Sequence, residues 1–221
     1  MPIPEMDELK AKLVGYSRFV EGMIGKSRQA LVARQATVLA EIIEDDEPRA
    51  NDTEISMEAE CTAVIARHQP MARDLRAILM ILRIVNDLER IADHAVNIAE
   101  AVRDHINGTV IAPDDAVLTM FDRATRMMDD AIRAFIDGDS ALGQRVCLAD
   151  AEVDALATGI LERLSAAMTA DAGRIAHNLA LLKIAANLER VADLSTNIGE
   201  DVIYMAEGRV IKHHRQENVQ T

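Results

Sequence analysis

Hydrophobic residues recur along this chain at spacings of three and four, which is the period of an amphipathic helix. The first such pattern covers residues 4–46, with Leu9 and Leu13 among its apolar positions. Pro48 follows an acidic run and is expected to start a second helix that ends near residue 68. Pro70 is placed to begin a third helix that ends near residue 106. No alternating strand pattern is present in the sequence, so we expect an all-α protein.

The second half of the chain repeats this order of elements. Residues 107–113 read as a linker, because Asn-Gly is a turn signal and Pro113 restarts the chain. The expected helices after it cover about 114–137, 140–148, 150–169 and 171–205, and a polar tail follows from residue 208. We therefore expect two tandem antiparallel three-helix bundles related by internal duplication, over residues 5–106 and 114–207.

A repeated segment supports the duplication. Residues 82–100 and 182–200 are identical at 10 of 19 positions, with an offset of one hundred residues. At 100° per residue, Ile84, Leu88 and Ile98 fall in one sector of the helix. Glu89 and Asp93 fall roughly opposite, in an acidic stripe that also occurs in the second copy. The stripe is therefore expected to face away from the apolar seam.

Composition and charge narrow the classes of function. Hydrophobic residues make up 49% and aromatic residues 2%, so the core must consist mainly of aliphatic side chains. A net charge of −13 disfavours nucleic acid or an anionic membrane as a partner and favours cations or cationic protein surfaces. Cys61 and Cys147 match no metal spacing and are interpreted as packing thiols. With no leader pattern and no membrane-length apolar run, we expect a soluble cytoplasmic protein.

Carboxylates in pairs are the candidate chemistry. Glu and Asp four residues apart repel on an exposed helix, yet this spacing occurs in both copies of the stripe. Asp150 and Asp154 repeat it on the middle helix of the second unit, where the first unit has Glu47 and Asn51. Facing pairs would form an oxygen-rich site for Mg²⁺, Ca²⁺, Mn²⁺ or iron, whereas an ordinary solvated face remains the alternative. His94 lies about 100° from Asp93, so we interpret it as structural or interfacial.

These features resemble the PhoU family. The resemblance rests on the Leu-Glu-Arg-[Ile/Val]-Ala-Asp-x-x-x-Asn-Ile segment of each third helix, on the acidic pairs and on the segment Gln69–Arg76. It implies a regulator that couples a Pst phosphate transporter to a PhoR-type sensor kinase and represses the phosphate-starvation response when phosphate is plentiful. The implied partners are the transporter's ATPase subunit, the kinase sensory domain and a second copy of the chain.

The resemblance also implies metal binding, by iron, Mn, Mg or Zn. The ligands carried over by position are Asp150, Asp154, Glu189 and Asp193 in the second unit, and Glu47, Glu89 and Asp93 in the first. The first unit departs from the pattern, since Asn51 replaces an acid and Pro48 lies inside the motif. Because an amide oxygen is a weaker ligand than a carboxylate, we expect the first site to bind metal more weakly or not at all.

Three functions remain open at this point. No nucleophile–base pair and no phosphate-cradling glycine loop is readable, which favours a non-catalytic signalling adaptor. A metal-dependent hydrolase or oxidase using the carboxylate clusters is the main alternative, and a purely structural scaffold is the third.

Overall fold

The computed structural model describes residues 3–106 and 114–207, so the expected linker and the polar tail lie outside the described residues. The described chain forms seven α-helices and two short turns of other helix types, and contains no strand. The all-α prediction is therefore confirmed. The elements are α1 (Glu5–Ala33), α2 (Thr37–Glu41), a π-helical turn (Ile42–Asp46), α3 (Glu47–His68), α4 (Ala72–Ile106), α5 (Asp115–Asp137), α6 (Ser140–Ala170), a 3₁₀ turn (Ala172–Arg174) and α7 (Ile175–Glu207).

The expected single helix over residues 4–46 is wrong, because the chain turns at Arg34. This residue adopts a left-handed conformation, with φ of 54°, and its N–H bonds to the carbonyl of Ala30. Its guanidinium donates to the carbonyl oxygen of Ile106 at 2.6 Å, at the far end of α4. Helices commonly end at a residue in the left-handed conformation, and α1 ends in this way with an arginine in place of the usual glycine.

The expected helix start at Pro48 agrees with α3 to within one residue, since α3 begins at Glu47 and Pro48 lies in its first turn. From Thr37 the chain runs through α2 and the π-helical turn into α3 without leaving the helical region. Proline lacks an N–H and its ring crowds the carbonyl four residues earlier, so an ordinary α-helix tolerates it poorly. The wider π-helical turn stands directly before it, and the N–H of Glu47 bonds to the carbonyl of Ile42. This local widening lets Pro48 sit inside a continuous helical run.

The second unit follows its turn signals closely. Asp114 accepts hydrogen bonds from the N–H groups of Ala116 and Val117, which fixes the start of α5. Gly138 ends that helix with φ of 65°, where a residue with a side chain would be strained. The break expected near residue 149 is wrong, because α6 continues to Ala170. No proline or glycine interrupts the chain there, and Asp150 is buried against a neighbouring helix.

Helices α4 and α7 form the antiparallel centre of the molecule. Arg83 pairs with Asp201 at 2.7 Å, and His94 Nδ1 lies 2.9 Å from Asn187 Oδ1 further along the same helix pair. The rings of His105 and His177 meet at its end, with centroids 4.2 Å apart. Residue numbers in these contacts rise along α4 and fall along α7, so the two helices are antiparallel. Corresponding positions of the two repeats therefore lie at opposite ends of the helix pair.

The remaining helices cover this central pair. Helix α1 packs on α4, α5 packs on α7, and α1 and α5 also touch each other. The predicted apolar seam is confirmed, since Ile84, Leu88 and Ile98 are completely buried in one core that reaches all the long helices. Among the described helices, none has both the length and the apolar character needed to cross a membrane.

Candidate metal-binding carboxylate clusters

Helices α6 and α7 approach each other closely, which brings their acidic residues together. A Cβ atom on Gly143 would lie 2.9 Å from the carbonyl oxygen of Gly199, so the two backbones nearly touch. One turn further, Cys147 Sγ donates to the carbonyl of Thr196 at 3.8 Å. Continuing this antiparallel register places Asp150 level with Asp193 and Asp154 level with Glu189. The predicted facing pairs of the second unit therefore lie on adjoining turns.

The carboxylates of this second cluster, defined as Asp154, Glu189 and Asp193, affect one another electrostatically. Burial raises the pKa of Glu189, and the negative charges of Asp193 and Asp154 raise it further. Asp193 also accepts a hydrogen bond from Arg190 at 2.9 Å, which offsets part of its charge. Three acids thus share a partly buried region with one neighbouring cation.

Asp150 lies at the inner end of this cluster. It is buried, with 8% of its surface exposed, and its charge acts on the thiol of Cys147. Burial raises the pKa of Cys147 to about 11, and the charges of Glu200 and Asp150 add to that effect. Both cysteines are free, and burial also raises the pKa of Cys61 to about 11, which agrees with their interpretation as packing thiols.

The corresponding acids of the first unit gather around Tyr16. Burial raises the pKa of this phenol, and the charges of Glu54, Glu89 and Asp93 raise it further. Its hydroxyl donates to the carbonyl oxygen of Ala50 at 3.2 Å, so the side chain links α1 to α3. Burial likewise raises the pKa of Glu89, followed by the charges of Asp93 and Glu54. We define Glu54, Glu89 and Asp93 as the first cluster.

Glu54 was missed in the sequence, where Glu47 and Asn51 were the candidates. Its Oε1 accepts a hydrogen bond from Asn86 at 3.4 Å, which places it across the α3–α4 pair beside Glu89. Glu54 follows Asn51 by three residues and Glu47 by seven, so all three share one helical face. Extending the search by one turn would have found it. The same register places Glu47 level with Asp93, about two turns away from Glu54.

The donors suit a hard cation in their chemistry, because both clusters offer carboxylate oxygens alone. Their positions are less complete: within residues 3–106 and 114–207, no three His, Cys, Asp or Glu side chains converge closely enough to hold a metal ion. The clusters are therefore sets of mutually repelling acids rather than formed coordination spheres. Exposed members such as Asp93 and Asp154 would have to rotate to share a cation.

The other candidates flanking the stripe have structural partners. His94 is hydrogen-bonded to Asn187 at the joint between α4 and α7, in agreement with its interfacial interpretation. Arg90 lies 3.8 Å from Asp87, and Arg190 pairs with Asp193. These contacts hold charges beside the carboxylates and offer no metal ligand.

The structure is thus an all-helical repeat protein made of two tandem three-helix bundles. The bundles pack together through their third helices, and each carries an acidic cluster. The model of the PhoU domain matches residues 13–102 and 117–202, one match to each repeat. The chain belongs to the PhoU family.

Curated relatives and a solved structure support this assignment along most of the chain. A "phosphate-specific transport system accessory protein PhoU homolog" of Deinococcus radiodurans is 32% identical over 189 residues, covering 86% of this chain and 88% of that protein. The homologue of the same description in Aquifex aeolicus is 32% identical over 209 residues, covering 95% and 94%. The crystal structure of PhoU from Pseudomonas aeruginosa superposes with a TM-score of 0.87 at 27% identity, covering 93% of this chain and 98% of that chain.

Proposed function

We propose that this chain is a non-catalytic accessory protein of a phosphate transport system, and that it represses the phosphate-starvation response when phosphate is plentiful. The observation that carries the proposal is the match of both repeats, and not of a single bundle, to proteins named for phosphate-specific transport. Since the similarity covers nearly all of this chain and of its relatives, we propose the relatives' role for the whole protein and not for one repeat.

The proposed mechanism is coupling between two partners. One is the ATPase subunit of a Pst-type phosphate transporter, and the other is the sensory domain of a PhoR-type histidine kinase, with the chain acting in the cytoplasm as a homodimer. A net charge of −13 supports docking on cationic protein surfaces and opposes docking on nucleic acid. Two repeats of similar fold offer two comparable faces, which suits an adaptor that must contact two proteins.

Each acidic cluster is proposed to bind a metal ion, of which iron, Mn, Mg and Zn are the candidates. The ligands in the second unit are Asp150, Asp154, Glu189 and Asp193, and those in the first are Glu47, Glu89 and Asp93, to which we add Glu54. Repulsion among these acids supports the proposal, because a cation would relieve it. Bound metal would also change the charge of the face offered to a partner.

The coupling is tested by pull-down of the transporter ATPase and of the kinase sensory domain with the purified chain, with and without phosphate. Capture of both partners, changed by phosphate for at least one of them, is expected. Failure to capture either partner under any condition would contradict the adaptor role. Metal-dependent turnover of phosphate esters, lost in Asp193→Asn, would contradict its non-catalytic nature.

The metal proposal is tested by elemental analysis and titration calorimetry of protein purified without chelator. The variant Asp154→Asn/Asp193→Asn should lose the metal of the second unit. The matched control Glu58→Gln/Glu162→Gln removes two charges at exposed positions outside the clusters and should keep it. Equal metal content in the two variants would refute the assignment. In the first unit, a loss with Glu54→Gln that exceeds the loss with Glu47→Gln would identify Glu54 as the stronger ligand.

A further inference from the structure

A cavity of about 390 Å³ lies at one end of the α4–α7 pair, away from both acidic clusters. Its walls come from four helices: α1, the start of α4, the end of α5 and the end of α7. Both repeats therefore contribute to it, the first through α1 and α4 and the second through α5 and α7. Nothing in the proposed adaptor role or in the metal sites uses this place.

Cations dominate the polar lining of this cavity. Lys10, Arg73 and Arg76 line it, and Asp137 is the one described acid among the lining residues. Within the described chain, none of the three cations lies within 4.0 Å of a carboxylate, whereas many other arginine and lysine side chains there form ion pairs. These three cations give the cavity a local positive charge in a protein of net charge −13, which suits an anionic ligand.

The opposite end of the same helix pair is built from different side chains. There the rings of His105 and His177 fill the space between α4 and α7, with centroids 4.2 Å apart. The repeat offset of one hundred residues places Ala77 and Met205 at the corresponding positions of this end. A methyl group thus stands where the other end has an imidazole, and the space remains open and lined by cations.

We propose that this cavity binds a small phosphorylated organic molecule of about nucleotide size. Arginine forks and a lysine match phosphoryl oxygens, and the N–H groups at the start of α4 add positive potential at the same place. Three cations and one carboxylate leave two net positive charges, which match the roughly two negative charges of a phosphate monoester.

The rest of the cavity indicates a ligand with an apolar body. Its volume falls within the range of about 300–1,000 Å³ that is usual for small-molecule sites and exceeds the need of a bare phosphate ion. Phe135, Ile136 and Met205 supply an apolar wall beside the cations. A ligand held between this wall and the cations would touch both repeats and tie their ends together.

Titration calorimetry at physiological ionic strength tests the proposal, with ADP, GDP and ribose 5-phosphate as organic probes. At least one of them should bind with a dissociation constant below about 1 mM. Inorganic phosphate should bind at least about tenfold more weakly, and adenosine and succinate should bind more weakly still. If inorganic phosphate binds as tightly as every organic probe, the inference that the ligand has an organic body is wrong. If succinate binds as tightly as the phosphorylated probes, the inference that the ligand carries a phosphoryl group is wrong. Failure of all the phosphorylated probes would overturn the proposal as a whole.

Two kinds of variant locate the site. Arg73→Gln/Arg76→Gln should weaken binding of the best probe by at least about tenfold, since each charge-assisted contact is strong. The matched control Arg126→Gln/Arg145→Gln removes the same charge from exposed arginines in a groove between α5 and α6 and should leave binding unchanged. Equal weakening in both would reveal a non-specific charge effect and overturn the site. Ala77→Phe keeps the charge and fills the cavity, so it should abolish binding while circular dichroism shows the helices intact.

Discussion

Replacing Asp87 with asparagine should stabilise this protein at neutral pH, although the change removes a charge and keeps the shape of the side chain. Asp87 lies in the joint between α4 and α7, with 13% of its side chain exposed. Burial raises the pKa of Asp87 to about 6, and the nearby charge of Asp201 raises it further against the attraction of Arg90 and Arg83. The second repeat has Asn187 at the corresponding position, hydrogen-bonded to His94.

The size of the effect follows from the pKa. Its rise from 3.8 to about 6 means that the folded protein retains a proton that the unfolded chain has released. The free energy of unfolding therefore falls as pH rises between these two values, and the whole penalty is present above about pH 6. At about 1.4 kcal/mol per pKa unit, the penalty is at most about 3 kcal/mol. A buried amide loses part of this gain to its own desolvation, so we expect Asp87→Asn to add about 1–2 kcal/mol at pH 7.5.

Urea unfolding followed by circular dichroism, from pH 4 to pH 8, measures both the gain and its pH dependence. Wild type should lose stability between pH 4 and pH 6 relative to Asp87→Asn, with the two curves parallel above pH 6. Asp104→Asn, an exposed change on the same helix, should follow wild type throughout. A variant less stable than wild type at pH 7.5, or one with an unchanged pH slope, would refute the reasoning.

Three further predictions concern packing, caps and the histidine pair. Gly143→Ala should lower the free energy of unfolding in urea by about 1–3 kcal/mol, because the new methyl group would lie 2.9 Å from the Gly199 carbonyl. Gly22→Ala meets nothing within 4 Å and should raise it by about 0.5–1 kcal/mol. Equal effects would show that α6 and α7 are not in close contact. Asp114→Ala should lower stability by about 1–2 kcal/mol through loss of the cap of α5, and Asp114→Asn should lose less, since asparagine also caps while the pair with Arg163 is removed; the opposite order would argue that the ion pair dominates. Burial and the charges of His177 and Arg34 lower the pKa of His105 to about 4, so the free energy of unfolding should fall as pH drops from 6.5 toward 4. His105→Phe should reduce this loss between pH 7 and pH 5 by about 2 kcal/mol. An equal loss in wild type and variant would show that the imidazole is protonated in the folded state.

The fold could be predicted from the sequence wherever a local signal and the helical period agreed. The limits of α4 and α5 follow from Pro70, Asp114 and Gly138, and the structure has them within one or two residues. The end of α1 could not be read in this way. It depends on Arg34, whose guanidinium bonds to a carbonyl 72 positions later in the chain. Pro48 marked the start of α3 correctly, but the π-helical turn that joins α3 to α2 without a break was not readable from the sequence.

The candidate site was predicted in part. Helical spacing alone was enough to place Glu89, Asp93, Glu189 and Asp193 on one face of each third helix, since that geometry is local. Which acids of the middle helices meet them depends on the register between two helices. For α6 and α7 that register is set by the contact between Gly143 and Gly199, which only the folded chain reveals. Glu54 was missed because its partner Glu89 lies across the α3–α4 pair.

The two repeats differ at the positions that decide their separate chemistry. Asp87 and Asn187 occupy corresponding sites, as do Ala77 and His177, while the apolar seam is retained in both copies. Since α4 and α7 run antiparallel, a change in one repeat alters only one end of the central pair and leaves the other end intact. The open cavity therefore belongs to one end and the paired histidines belong to the other, while Asp87 lies near the middle of α4 between them. A ligand or a proton acting at one end would change the packing of both repeats there, because each end is built from α4 and α7 together.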